Sequence, residues 1–256
     1  GAAGFIGSWL CERLFVDGNE VVGVDNMSTG TPANVAHLQP ALDLHVHDAG
    51  DERLMEPLIA QADFVYHLAA TVGVFQYMQK SVHTILNNIE TTATVLRLCN
   101  RYQVPFLLTS TSEVYGKTVK LPFAEDDDIV LGPSSKWRWG YAAGKYADEM
   151  LALGYHRQYG LPVRIVRLFN VVGPRQTGRY GMVVPRFIQQ AKAGQPMTVF
   201  DTGEQTRTFC SVHDIVDGLT AVAGCKEAVG EVVNLGSEEE MSINWLSEMV
   251  SEVVAK

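Results

Sequence analysis

Through its first two thirds the chain alternates short apolar runs with amphipathic stretches, and that alternation limits the folds open to it. Val21–Val24, Ala62–Leu68, Val104–Thr109 and Val163–Phe169 read as strands, the last rich in β-branched residues. Between them Gly7–Phe15, Ser81–Asn100 and Tyr141–Tyr159 carry helical patterns. Strands alternating with helices of this length make βαβ units, hence a parallel sheet covered by helices on both faces. After Gly173 come short strands and loops, with helical patterns at Val184–Ala193, Asp214–Ala223 and Ile243–Val254. The expected architecture is α/β, a doubly wound parallel sheet over residues 1–172. A smaller subdomain over residues 173–256 is laid on the sheet edge and interleaved with it. Neither a repeat nor a linker separates the two parts, so one folding unit is expected.

Gly1 opens directly on a glycine-rich turn of the kind that follows a buried strand, and Lys256 falls in a helical pattern. Both ends read as cut, with the first strand missing. The 256 residues are 46% hydrophobic and 19% charged, ample for a core. No apolar run approaches the roughly 18 residues a membrane span needs. A net charge of −9 argues against non-specific binding to nucleic acid or anionic membranes, which takes clustered Lys and Arg. Cys11, Cys99, Cys210 and Cys225 lie far apart, with no CxxC pair and no metal-ligand spacing. They read as reduced thiols of a cytosolic protein.

Gly1-Ala2-Ala3-Gly4-Phe5-Ile6-Gly7 spaces its glycines as GxxGxxG. Glycine allows positive φ, lets backbone N–H groups approach a pyrophosphate and lets a helix start close to a strand. About twenty residues on, the next strand ends at Asp25, placed for a carboxylate to hold the ribose hydroxyls of a dinucleotide. That charge repels a 2′-phosphate and so favours NAD over NADP. The competing reading of Asp25 is a solvated turn acid in Asp25-Asn26-Met27-Ser28-Thr29-Gly30.

With this turn the chain begins to resemble the extended short-chain dehydrogenases/reductases, and within them the NAD-dependent nucleotide-sugar epimerases and dehydratases. The glycine spacing is similar to theirs, and the Asp25–Gly30 segment resembles the second-strand motif of UDP-galactose 4-epimerases. His67-Leu68-Ala69-Ala70 resembles their HxAA stretch beside the cofactor. The resemblance implies a Rossmann-type fold with NAD bound by Gly1, Gly4, Phe5, Ile6, Gly7, Asp25 and Asn26. It also implies cofactor contacts from Asp48 (to adenine), Leu68, Ala69, Ala70 and Asn88 (on the helix behind the site).

Tyr141-Ala142-Ala143-Gly144-Lys145 has the i, i+4 spacing that puts two side chains on one helix face. A phenol titrates near 10 in water, and a nearby ammonium together with a nicotinamide charge lowers that towards working pH. The bland alternative is a surface helix pair. Leu107–Gly116 ends a strand in hydroxyls, Thr109-Ser110-Thr111-Ser112, followed by Glu113-Val114-Tyr115-Gly116. Strand-end capping is the alternative here. The run resembles the TSEVYG motif of nucleotide-sugar enzymes, which implies that Thr111 bonds the reacting sugar oxygen, with Ser112 beside it. Tyr141 is then the acid/base and Lys145 the ribose-binding partner. Gly144 departs from the family's usual Ser or Thr.

Arg167–Arg175 resembles the family's R-x-F-N-x-x-G-P-R segment, implying substrate contacts from Asn170 and Arg175. Arg207 matches an arginine that pairs with the diphosphate, against a plain surface charge as alternative. His213, in the motif that opens the next helix, is given a capping or packing role. The resemblance spans nearly the whole chain and implies a UDP-sugar substrate. It also implies a homodimer formed through Ser81–Asn100 and Tyr141–Tyr159. Contacts to the base and sugar are expected from loops around Pro122–Trp139 and residues 175–181.

Members of the family share oxidation at C4 to a 4-keto sugar and diverge afterwards. A 4-epimerase, for UDP-glucose/galactose or a uronate, is the first reading, because it needs only Thr111, Tyr141 and Lys145. Decarboxylation of UDP-glucuronate is the alternative, favoured by Ser112-Glu113 and by Lys136-Trp137-Arg138-Trp139, which resembles a bacterial UDP-glucuronate decarboxylase. Glu113 as a catalytic group belongs to that reading; otherwise it serves the turn that follows. A 4,6-dehydratase ranks lower, since Ser112 stands where dehydratases carry Asp. Lowest are an oxidoreductase on a free small substrate and a non-catalytic NAD-binding module.

Overall fold

The computed structural model describes residues 1–71, 74–178 and 182–254, and for residues 74–81 the backbone alone. Residues 179–181, part of the loop expected to contact base and sugar, lie outside the described residues. Helix α1 (Phe5–Val16) follows the glycine turn and leads to β1 (Val22–Asp25), which pairs in parallel with β2 (Asp43–Val46). Helix α2 (Glu52–Ile59), capped by Asp51, precedes β3 (Val65–His67). The long α3 (Val74–Tyr102), β4 (Phe106–Thr111), α4 (Gly140–Tyr159) and β5 (Val163–Leu168) follow. Then come β6 (Val171–Val172), α5 (Val183–Lys192), β7 (Thr206–Thr208), β8 (Cys210–Ser211) and α6 (Val212–Gly224). The described chain closes with β9 (Val232–Leu235), β10 (Glu240–Ser242) and α7 (Ile243–Val254).

The central sheet is parallel, in the order β3-β4-β5-β9. Its strands alternate sides as the pleat requires. Phe106, Leu108, Val163 and Ile165 face α2, α3 and α4, with Ile59, Leu96, Leu98 and Ala152. Leu107 and Val166 point the other way, onto Ile215 and Leu219 of α6. Both faces are therefore covered, as the alternation predicts. A separate cluster joins Phe187 of α5 to Ile243, Leu246 and Val250 of α7, beside the antiparallel pair β7–β10. The C-terminal part thus has a small core of its own while lending β9 and α6 to the main sheet.

Several boundaries move for identifiable reasons. The run Ala62–Leu68 becomes a strand only from Val65, because Gln61 and Ala62 are still bonded back to Leu58 and Ile59 at the exit of α2. The expected strand Val104–Thr109 is displaced to Phe106–Thr111. Val104 N–H is taken by Cys99 at the end of α3, and Pro105 has no N–H to give. At the far end Ser110 and Thr111 stay in the ladder opposite Arg167 and Leu168. That extra pair of residues carries the hydroxyls to the carboxyl edge of the sheet.

Candidate active site

The carboxyl ends of β1, β3, β4 and β5 open on one cleft of about 830 Å³. Such an edge is where open α/β sheets place ligands. The glycine turn forms its floor. Gly4 serves as N-cap of α1 with no side-chain cap, and no acid stands in the first turn, so the helix presents bare amides there. Gly1, Gly4, Phe5, Ile6 and Gly7 all line the cleft. Gly4 sits at φ −73°, and neither it nor Gly7 is among the left-handed residues. The positive φ anticipated for this turn is thus not used. Close approach is what demands glycine: a Cβ at Gly7 would lie 2.0 Å from the Gly1 carbonyl oxygen, and one at Gly1 would lie 2.9 Å from the Leu68 carbonyl carbon.

Asp25 is buried, 6% exposed, which removes the solvated-turn reading. Its Oδ2 accepts from Ala3 N–H at 2.9 Å and its Oδ1 from Met27 N–H at 2.8 Å, so it locks the glycine turn to the end of β1. Asn26 donates to Asp48 Oδ2 at 2.9 Å, and Asp48 Oδ1 receives Gly50 N–H. Asp48 stands two residues past β2 rather than closing it. Asp25, Asn26, Asp48, Leu68, Ala69 and Ala70 line the cleft. Asn88 does not; it grips Thr71 through both the backbone N–H, 2.8 Å, and the carbonyl, 3.2 Å, shaping the loop that does. A cradle of bare amides with a buried carboxylate about twenty residues on fits the pyrophosphate and ribose of a dinucleotide.

Across the cleft stand Thr111, Ser112, Glu113, Tyr141 and Lys145. Thr111 hydrogen-bonds the Tyr141 phenol, and its Oγ1 also accepts Glu113 N–H at 3.2 Å, so the capping reading holds and the hydroxyl sits beside Tyr141. The Glu113 side chain is solvent-exposed at the cleft wall. Lys145 is 2% exposed and donates to Asp148 Oδ2 at 3.0 Å, so the pair is no surface ion pair. Burial pushes the Tyr141 phenol well above its ordinary range, and the charges of Glu113 and Asp148 add to that, while the Thr111 bond pulls the other way. This corrects the expectation that Lys145 lowers it: the lysine's charge is already met by Asp148.

The substrate residues are brought together unevenly. Asn170 lines the cleft and donates to Thr208 O at 2.9 Å. Arg175 lines it too, but its guanidinium is held by Ser8 and Glu12 and lies 3.9 Å over the Trp9 ring. Arg207 stands exposed on β7, bonded to Thr206 O, and is not part of the cleft wall. His213 packs edge-on against Trp9 at 4.4 Å, as the packing role expects. Asn87 and Thr91 also line the cleft, and no motif marks them as site residues; Arg138 lines it as well, from the Lys136–Trp139 run and the loop expected to contact base and sugar.

Residues 1–236 match the model of the NAD dependent epimerase/dehydratase family. The chain is 41% identical over 254 residues to a UDP-N-acetyl-alpha-D-glucosaminuronate decarboxylase of Bacillus cytotoxicus, covering 99% of this chain and 78% of the relative. It is 40% identical to UDP-glucuronic acid decarboxylase 1 of Arabidopsis thaliana, covering 99% of this chain but only 57% of that protein. Among solved structures, a UDP-glucuronic acid 4-epimerase of Bacillus cereus, in complex with UDP-glucuronic acid and NAD, superposes with a TM-score of 0.90. That match has 32% identity and covers 100% of this chain and 82% of the epimerase.

Proposed function

The chain belongs to the NAD-dependent epimerase/dehydratase family, and from that premise we propose that it decarboxylates a UDP-uronic acid. The observation that carries this choice is Glu113 on the cleft wall with Tyr141, in a chain 41% and 40% identical to two UDP-uronate decarboxylases. The preference drawn from sequence for a 4-epimerase therefore gives way to its alternative. The likeness to the UDP-glucuronic acid 4-epimerase keeps epimerisation as the second reading.

NAD, when bound, supplies a two-electron acceptor that takes hydride from C4 and later returns it, leaving no net redox change. The chain's own residues handle protons and position. The glycine turn and Asp25 hold the pyrophosphate and adenosine ribose, and Lys145 the second ribose. Tyr141, bonded to Thr111, removes the C4 hydroxyl proton as the C4–H bond breaks. The C6 carboxylate then lies β to a ketone. Breaking C5–C6 releases CO2 and leaves its electron pair in an enolate spanning C5, C4 and the C4 oxygen. A proton enters at C5, and the Tyr141 proton returns to the C4 oxygen as C4 is reduced. Glu113 contributes negative charge near the departing carboxylate, repulsion that vanishes when neutral CO2 leaves. Epimerisation has no use for that charge.

We also infer a homodimer through α3 and α4, whose exposed faces carry Val82, Leu86, Tyr146 and Met150, the first 68% and the last 56% exposed. The unpaired cysteines fit a reducing, cytoplasmic setting. Among the described residues no helix is long and apolar enough to cross a membrane.

The test is product analysis of the full-length protein with NAD+ and UDP-glucuronic acid or its 2-acetamido analogue, by mass spectrometry and NMR. Loss of CO2 with formation of a UDP-pentose is expected, slowed about 100-fold in Glu113→Gln. An isobaric product inverted at C4 would make the protein an epimerase instead.

A further inference from the structure

Behind Tyr141 and Lys145 runs a line of buried polar groups for which the proposed chemistry has no use. Asp148, one turn beyond Lys145 on α4, is 0% exposed and receives the lysine Nζ at 3.0 Å. Thr92 of α3 hydrogen-bonds Asp148, and its Oγ1 lies 3.2 Å from His67 Nε2 at the end of β3. Asp148 Oδ1 has no hydrogen-bond partner among the described residues. On a solvated helix face an i, i+3 ion pair is a common ornament of little consequence. Here both charges have left water, a costly arrangement that well-packed apolar side chains could replace without loss of stability. The pair also ends in the one lysine, among the described residues, that reaches the cleft wall.

We propose that Asp148 is a positioning residue of the reaction, fixing the Lys145 ammonium at the cleft and offsetting its charge at the Tyr141 phenol. This rests on the reading of Tyr141 as the acid/base. The surroundings set the sign. Lys145 and Glu149 of α4 and Thr92 of α3 act on the Asp148 carboxyl, Asp148 and Glu113 (on the same cleft wall) both act on the Tyr141 phenol, and Lys145 acts on His67 of β3. Burial raises the Asp148 carboxyl while Lys145 and Thr92 draw it back. Burial, then the Lys145 charge, keeps His67 neutral, so His67 offers a hydrogen bond and no charge. The negative charge of Asp148 disfavours phenolate at Tyr141. Asp148→Asn keeps the size and removes that charge, leaving the lysine's attraction for phenolate unopposed.

The experiment follows single-turnover NADH formation by the full-length holoenzyme on UDP-glucuronic acid as a function of pH. C4 oxidation is common to the decarboxylase and epimerase readings, so the readout does not depend on which follows. In Asp148→Asn the acid limb should move down by about one pH unit, with KM changed less than about threefold. A purely structural role would lower the melting temperature and leave the limb in place. Asp148→Ser, smaller and likewise uncharged, should move the limb the same way. Should Asp148→Asn fail to fold, Asp148→Ser decides alone. A limb unmoved or shifted upward in the folded variant overturns the proposal. Tyr141→Phe is run in parallel. An inactive Phe variant supports the base assignment on which the proposal rests, and an active one overturns that assignment and the proposal together.

Discussion

Gly7→Ala isolates what the glycine turn contributes. The new Cβ would start 2.0 Å from the Gly1 carbonyl oxygen and 2.9 Å from its carbon, both backbone atoms that no rotamer change can move aside. Restoring an ordinary contact of about 3.5 Å requires the turn and α1 to part by more than about 1 Å. The amides of that turn are the ones proposed to meet the pyrophosphate, and a misplacement of about 1 Å typically costs about 100-fold. The expected loss of NAD+ affinity is therefore about 100-fold, or about 2.7 kcal/mol, with about 1–3 kcal/mol of stability lost to overpacking. Gly144→Ala is the control. Nothing lies within 4 Å of a Cβ built there, in the middle of the first turns of α4. Removing glycine from a helix interior should stabilise it by about 0.5–1 kcal/mol with NAD+ affinity unchanged. Titration calorimetry and urea midpoints read both quantities. A Gly7→Ala protein binding NAD+ within about threefold of the parent would refute the close-approach argument.

Two further expectations concern the buried charges. Arg167 donates to both Glu149 oxygens, at 3.1 and 2.8 Å, and to the Tyr115 hydroxyl at 2.8 Å, with the pair 5% and 2% exposed. Glu149→Leu strands the guanidinium and should cost about 3–5 kcal/mol; adding Arg167→Met should recover at least half of that loss in urea unfolding. A double variant weaker than the single would show that the network, not the unpaired charge, dominates. His67 is held well below its usual range by burial and then by Lys145. The unfolded chain therefore binds a proton that the fold refuses, so stability is full above about pH 6.5 and falls below it by up to about 1.4 kcal/mol per pH unit. His67→Gln should flatten that fall between about pH 6.5 and 5; parallel slopes in the two proteins would sink the assignment.

The sheet was largely legible because its strands are bounded by residues whose chemistry is local. Alternation of apolar runs and helical patterns needs only covered faces to become βαβ units, and both faces are covered by α2, α3 and α4 on one side and α6 on the other. The displaced ends of β3 and β4 follow from where the preceding helix keeps its hydrogen bonds, at Ile59 and Cys99. No periodicity reports that. The joining of β9 to β5 was equally out of reach, since it pairs residues 232–235 with 165–168 across the intervening subdomain.

At the site, spacing identified neighbours but not allegiances. Tyr141 and Lys145 fall on one face of α4 as their interval requires, yet the interval does not say that Lys145 is shared with Asp148. Whether an i, i+3 acid is solvated or 0% exposed depends on α3 packing over it, which only the fold decides. The same limit explains Arg207 and Arg175. Position in a motif marks both as substrate contacts, but Arg207 lies on an exposed strand and Arg175 is engaged by Glu12. A guanidinium's charge is visible in sequence; the carboxylate that claims it is not. For Tyr141 the consequence is a reversal of sign. Counting charges along the helix predicts a phenol made acidic by its lysine, whereas burial and the nearby Glu113 and Asp148 hold it protonated. The protein alone thus holds Tyr141 as an acid, and converting it to a base requires positive charge brought into the cleft, which the nicotinamide of NAD+ carries when bound.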